Sequence, residues 1–200
     1  MTESMGGNRN RLILIALLVL CTAPFVIALA LYSGRSRMVE ALHHGNLIAP
    51  AIPVSLGNFV GFDPFSTENI GEIRGHWVLV QFIAPRGCGT ACRESLKKTR
   101  QVRLMLSKDL MRVRRVAVVG VEISLKQADE WWLEHPDLLR SCRTDELEKI
   151  ATAATGSGIA DGTVFIMDPI GNFMMWYPAD FDPYGLKKDM QRLLRVSQIG

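Results

Sequence analysis

Two cysteines four residues apart, Cys88 and Cys92, stand in the stretch Pro85-Arg-Gly-Cys-Gly-Thr-Ala-Cys92. Thiols this close support two chemistries. They can open and close a disulfide, or as thiolates they can clamp a soft ion such as Cu(I) or Zn(II). Their neighbours favour loss of the thiol proton: Arg86 and Arg93 add positive charge, and Gly87 and Gly89 let the backbone approach a partner closely. Spacing sets a condition. Residues i and i+4 on one helix hold their Cβ atoms about 5–6 Å apart, whereas a disulfide wants about 3.8 Å. If Cys88 lies in the loop before a helix that carries Cys92, it can fold back and close either a disulfide or a two-thiolate clamp. Cys88, nearer the helix start and flanked by glycines, is then the expected attacking thiolate and Cys92 the resolving one. Cys21 and Cys142 stand alone, and four cysteines in 200 residues are too few for a disulfide scaffold.

The elements that must position this pair are legible on either side. Trp77-Val-Leu-Val-Gln-Phe-Ile83 is a nearly continuous apolar run, which predicts a central strand covered on both faces. Beyond it the spacing predicts a helix from about Cys92 to Leu106. Cys92, Leu96, Thr99, Val102 and Leu106 fall on its inner arc, and Arg103 interrupts that arc. Val116–Ile123 reads as a second buried strand, parallel to the first through a right-handed crossover. Open α/β sheets place their reactive crevice at such a strand-to-helix junction. Helices are expected at Ser124–Glu134 and Thr144–Thr155, the latter capped by Thr144 or by Asp145 with Glu148. Thr163–Met167 is a third strand. Asp168-Pro-Ile-Gly171 has the sequence of a type I turn, and Asn172–Tyr177 returns antiparallel. Asp182 and Pro183 open a last helix with Leu186, Met190, Leu193 and Leu194 inward. The order gives an α/β sandwich with a mixed sheet.

A formal charge of +3 with 22% charged residues excludes both an acidic disordered chain and a polybasic nucleic-acid arm. The apolar excess is concentrated near the N-terminus. Leu12–Tyr32 runs 21 residues without a charge, long enough as a helix to cross a hydrocarbon core of about 30 Å. Arg9 and Arg11 bound it on one side, Arg35 and Arg37 on the other. The run exceeds the usual apolar region of a cleaved signal peptide, and Leu20 before Cys21 is too large for a lipoprotein signal. The expected organisation is a cytoplasmic tail (1–11), a transmembrane helix (12–32), a linker (33–54) and one folded domain (55–197) on the far side of the membrane.

The remaining candidates read as structural. His43 and His44 fall in the linker as a solvated pair, and His76 opens a buried strand. His135 sits at a helix end, where an imidazolium would interact favourably with the dipole. Met174 and Met175 point to opposite faces of a strand and are packing residues. Trp131 and Trp132 form an aromatic pair at a helix end, core-packed or membrane-facing. Between Arg93 and Arg115 there are nine Lys/Arg against two Asp/Glu, which would suit a solvated helix face, anionic lipid headgroups or an acidic partner.

Taken in order, several stretches resemble the Sco/SenC family of membrane-anchored, thioredoxin-like proteins that help assemble cytochrome c oxidase. They are Gly75-His-Trp-Val-Leu-Val-Gln-Phe82, Cys88-x-x-x-Cys92, Pro136-Asp-Leu-Leu, Thr144-Asp-Glu-Leu-Glu-Lys-Ile-Ala151 with Gly156, and Asp168-Pro-x-Gly171. The resemblance covers roughly residues 50–196. It implies a thioredoxin-like sandwich preceded by one transmembrane helix, held in the inner membrane with its domain in the periplasm. It implies copper bound by Cys88, Cys92 and a later histidine, thiol–disulfide oxidoreductase activity in some members, and as partner an oxidase subunit or a copper chaperone. The histidine has no counterpart. That stretch reads Ser157-Gly-Ile-Ala-Asp-Gly-Thr163, with Gly162 where the ligand would fall, and no proline precedes the third strand as in ordinary thioredoxins. A tethered docking factor that keeps the fold without catalysis is the alternative from another class.

Overall fold

The computed structural model describes residues 5–40, 43–120, 122–197 and 199, with backbone alone for 5–10 and 33–40. It divides into two units, Met1–Leu42 and His43–Gly200. The first is a single helix, α1 (Met5–Glu40), with Pro24 inside it. Within α1, Arg11–Tyr32 is long and apolar enough to cross a membrane, at a mean hydropathy of 3.0.

The second unit is built on a seven-stranded mixed sheet. Its strands are β1 (Asn46–Pro53), β2 (Val60–Gly61), β3 (Trp77–Phe82), β4 (Val113–Val119), β5 (Leu139–Cys142), β6 (Val164–Met167) and β7 (Asn172–Tyr177), in the spatial order β1-β7-β6-β3-β4-β5-β2. β3, β4 and β5 run parallel, joined by α3 (Thr90–Met105) and α4 (Leu125–Trp132). β6 lies antiparallel to β3 and turns back into β7. Every residue of β3 is buried, as its apolar run predicts. Strand alternation divides the core. Val78, Val80 and Phe82 face α5 (Asp145–Thr155) through Leu147 and Ala151. Trp77 and Leu79 face the side covered by α3 and by α6 (Pro183–Val196). Around the cysteines, Ile83, Leu96, Ala117, Ala128 and Trp132 complete that side.

Several expectations need correction. The stretch 33–54, expected to be a linker, is helical to Glu40 and forms strand β1 from Asn46, so the folded unit begins ahead of residue 55. His44 is exposed but not free in a linker, since the buried carboxylate of Asp189 accepts from the backbone N–H groups of His44 and Gly45 and lies 3.3 Å from the His44 ring, while His43 is half-buried. The second strand runs Val113–Val119 rather than 116–123. Its start carries Arg114 and Arg115, whose charges hid it from an apolar reading, and Arg115 is accommodated by Thr99 and the Leu96 carbonyl. Thr144, not Asp145, caps α5, accepting from the Leu147 N–H. Short β2 and β5 and helix α2 (Pro64–Asn69) carry too few residues to show periodicity.

Candidate functional site at the Cys88–Cys92 disulfide

β3 delivers the chain to the site, and residues 83–89 turn it into α3. The helix needs an N-terminal boundary, and Gly89 supplies it in extended backbone as the N-cap. Cys88 thus lies in the loop and Cys92 in the first turn of α3. That placement meets the condition set by spacing: the two are disulfide-bonded, with Cα atoms 5.2 Å apart. Cys92 is wholly buried and Cys88 is buried at 5% exposure, so Cys88 is the more accessible residue of the pair. Arg86 and Arg93 are exposed beside the pair.

Three groups outside the motif shape it. Asp161 accepts from the Ala84 N–H at 2.9 Å with one carboxylate oxygen and from the Gly89 N–H at 2.9 Å with the other. One side chain therefore bridges both ends of the loop that carries Cys88. The Trp131 ring lies over Gly87, and Trp132 is in the core under the cysteines, which resolves the aromatic pair in favour of packing at the site. Gly162 sits directly against Cys92. It holds a φ of +84°, and a Cβ there would lie 3.0 Å from the Cys92 Cα and 3.0 Å from the Ala179 Cβ. Left-handed backbone and the lack of space both require glycine at that point.

Gly162 is also where the expected copper-binding histidine would fall, so the third ligand position is filled by backbone packed on the helix. Asp161, its neighbour, has both oxygens engaged. Among the described residues there is no group of three or more His, Cys, Asp or Glu that could hold a metal ion. The donor set at the cysteines ends at two sulfurs, and these residues do not fit a resident three-ligand copper centre.

The other candidate residues lie away from this chemistry. His76 takes a hydrogen-bonding position 3.0 Å from the Arg74 carbonyl. His135 is buried, and its expected imidazolium is corrected: desolvation, with Arg115 and Arg100 nearby, pushes its pKa down to about 4, so it is neutral at neutral pH. Met175 is buried in the core while Met174 is half-buried. Cys142 is a free, partly buried thiol whose pKa is raised by burial. The basic run is largely used by the fold. Arg103 pairs with Asp137, Arg112 with Asp109 and Arg114 with Glu72, and Arg115 is buried.

The sequence reading missed Asp161, Gln81 and Trp131 as parts of the site. Gln81 had a visible signal, a lone amide inside an otherwise apolar strand. Asp161 had none, since its role depends on a contact 72 residues away in sequence.

A search of the curated proteins found no match. Among solved structures the chain is similar to apo Sco1 from Thermus thermophilus, at 19% identity and a TM-score of 0.56, over 76% of this chain and 96% of that one. It is also similar to yeast Sco1, at 17% identity and a TM-score of 0.51, over 64% of this chain and 84% of that one. Yeast Sco1 with copper bound gives 17% and 0.51 over 62% and 82%. At these identities the likeness shows a shared fold. The family model for the transmembrane-like, thioredoxin-like C-terminal domain matches residues 77–197, from β3 through α6, and the chain belongs to that family.

Proposed function

We propose that this chain is a membrane-anchored thiol–disulfide oxidoreductase of Sco/SenC type, acting on a partner protein in cytochrome c oxidase biogenesis. The observation that carries the reading is the Cys88–Cys92 disulfide at the β3–α3 junction, with Cys92 wholly buried and Cys88 the less deeply buried of the two. In the reduced pair, Cys88 thiolate attacks a partner disulfide. A Cys88–partner disulfide forms and the partner's other sulfur leaves as thiolate. Cys92 thiolate then attacks the Cys88 sulfur, the partner's second thiolate leaves, and the partner is left as a dithiol while Cys88–Cys92 is oxidised. A dithiol donor resets the pair. Arg86, Arg93 and the unpaired N–H groups at the start of α3 favour the thiolate that each step requires.

The partner class is an oxidase copper-site subunit or a copper chaperone. Residues 1–11 form a cytoplasmic tail, 12–32 span the inner membrane, and the domain faces the periplasm. The apolar segment Arg11–Tyr32 supports the anchor. Cu(I) enters this scheme as cargo passed between two thiolates, which are soft ligands.

The test uses the full-length protein in detergent with Cys21 and Cys142 replaced by serine. The reduced protein is mixed with an oxidised dithiol peptide carrying the oxidase copper-site cysteines. Oxidation of Cys88–Cys92 with release of peptide dithiol, and a trapped peptide adduct on Cys88 in Cys92→Ser, are the expected results. Absence of both overturns the redox reading. If the doubly substituted Cys88→Ser/Cys92→Ser chain then restores oxidase assembly in a deletion strain, the docking alternative stands in its place. Competition with a Cu(I) chelator reads the cargo role, which requires binding by the reduced pair that is lost in Cys88→Ser.

A further inference from the structure

A polar chain is buried beneath α3, on the face of the sheet where apolar packing prevails. Gln81 in β3 is 2% exposed, Thr99 in α3 is 1% exposed, and Arg115 in β4 is 1% exposed. They are linked in series. The Gln81 amide nitrogen donates to the Cys92 carbonyl at 3.1 Å. The Thr99 hydroxyl lies 3.4 Å from the Gln81 carbonyl oxygen and 3.1 Å from the Leu96 carbonyl, and these share its one proton. Arg115 donates to the Thr99 oxygen from Nε at 3.3 Å and from Nη2 at 3.1 Å, and to the Leu96 carbonyl at 2.8 Å. The Asp137 carboxylate stands 3.7 Å from the remaining guanidinium nitrogen.

Burying an amide and a guanidinium is costly unless their hydrogen bonds are made, and here the chain of bonds leads to the backbone of one of the two reacting cysteines. The Cys92 carbonyl lies in the first turn of α3, so it can also accept an ordinary helical bond from Leu96. The Gln81 bond is additional, and it ties the turn carrying Cys92 to β3, the strand that ends six residues before the loop cysteine. Gly162 also packs against the backbone of the same residue.

We propose that Gln81 is a positioning residue for Cys92: through its bond to the Cys92 carbonyl, oriented by Thr99 and Arg115, it holds the buried sulfur within reach of Cys88 and so favours the disulfide over the dithiol. This rests on the thiol-exchange reading of the pair. The argument is one of reciprocity. A bond that fixes the geometry the disulfide requires is strengthened by oxidation, and by the same free energy it strengthens oxidation. A residue that merely supports the fold stabilises the oxidised and reduced forms alike and leaves their ratio unmoved.

The experiment measures that ratio. Full-length protein in detergent is equilibrated in glutathione and dithiothreitol buffers of graded ratio. Alkylation and mass spectrometry of the peptides holding Cys88 and Cys92 give the fraction oxidised. Gln81→Met keeps the volume and removes the donor, and is expected to move the equilibrium about fivefold towards the dithiol, the factor that a net hydrogen bond of ordinary strength supplies. Thr99→Val, which frees the Gln81 amide to turn, is expected to move it in the same direction by about twofold. An equilibrium constant for Gln81→Met equal to that of the parent overturns the proposal, even where its melting temperature falls. Should Gln81→Met not fold, an unmoved constant in Thr99→Val overturns it instead. A parent protein whose pair does not exchange in either buffer overturns the redox reading and this inference together, whereas a parent that exchanges with unmoved variants sinks the inference alone.

Discussion

Two carboxylates, Asp189 and Asp161, do formally the same thing: each gathers backbone N–H groups from a segment far away in sequence. They do it in different surroundings. Asp189 on α6 is wholly buried and accepts from the His44 and Gly45 N–H groups and from the Tyr177 hydroxyl at 2.7 Å, with the His44 ring 3.3 Å away. Burial alone would raise its pKa, but the bonds from Tyr177 and His44 outweigh it and hold the carboxyl below the usual carboxylate range. The same burial, together with the bond to Asp189, pushes the Tyr177 phenol up. Asp161 is half-exposed and accepts two amides, both in the loop around Cys88. One carboxylate closes a permanent seam where the chain enters the fold; the other shapes a loop that a partner has to reach. The first should therefore be read in stability and the second in the reactivity of a sulfur.

The largest expected effect follows from that division. Asp189→Ala strands two backbone donors and a buried phenol at once. Since hydrogen bonds to a charged group contribute about 1.5–3 kcal/mol each and are not additive, the unfolding free energy should fall by about 3 kcal/mol. Urea unfolding of the full-length protein measures it, and the glutathione equilibrium of Cys88–Cys92 should stay where it is in the fraction that remains folded. Beside Asp161, Gly162→Ala forces a side chain into left-handed backbone against the Cys92 Cα and should cost about 2 kcal/mol. Gly162→His, which would supply the missing imidazole, should lower the melting temperature further and create no Cu(I) affinity beyond that of the two thiolates. A tightly held copper in that variant would contradict the packing described for this residue.

Acid separates the two regions from a third group. The folded pKa of Asp189 is depressed, so its contribution is present above the ordinary carboxylate pKa and is lost as pH falls through the lower folded value. His135 has its pKa lowered to about 4 from 6.5, because burial and Arg115 disfavour the imidazolium. The unfolded chain therefore binds this proton first. Stability attributable to neutral His135 is complete above pH 6.5 and declines as pH falls from there towards 4. Between pH 7.5 and 4.5 the parent should lose on the order of 2 kcal/mol from this residue, and His135→Leu should flatten that part of the profile. A profile unchanged by His135→Leu would show that the acid loss comes from elsewhere.

The contrast also marks what could be read in the sequence. β3, α3, the β6–β7 hairpin and α6 were legible because long apolar runs, a helical arc and turn or cap residues each encode local structure. β3 and α3 were enough to put Cys92 at the start of a helix and to make a loop position for Cys88 the condition for pairing. The strands at both sheet edges were not legible: β2 has two residues, β5 has four, and β1 carries two prolines and is mostly exposed. Arg115 in β4 read as part of a basic run and Arg103 in α3 as an interruption of the inner arc, yet both turn inward and find partners, Arg103 donating to the Val113 carbonyl at 2.8 Å. Polar residues whose partners are distant in sequence have no local signature. That is why Asp189 and Asp161 emerge only from the structure, and why the lone amide of Gln81 was visible without its role, while the cysteine pair was visible from spacing alone.

The smallest stability effect belongs to Asp161, and it sharpens the comparison most. Asp161→Asn keeps the shape but offers one acceptor oxygen where two are used, so either Ala84 or Gly89 loses its partner and faces an amide N–H instead. The half-exposed site lets water take over part of the lost bond, which limits the cost to about 1 kcal/mol. The loop around Cys88 is then held at one end only. Attack on Cys88 by a small phosphine or dithiothreitol should become several-fold faster, read by stopped-time alkylation of the full-length protein, since access to a buried cysteine, 5% exposed as a residue, depends on how often that loop opens. Asp189→Ala, assayed under conditions where it stays folded, should show the parent rate. Were Asp161→Asn to lose stability without any change in the rate at Cys88, Asp161 would be a seam like Asp189, and the loop would owe its geometry to the disulfide and to Trp131 packed on Gly87.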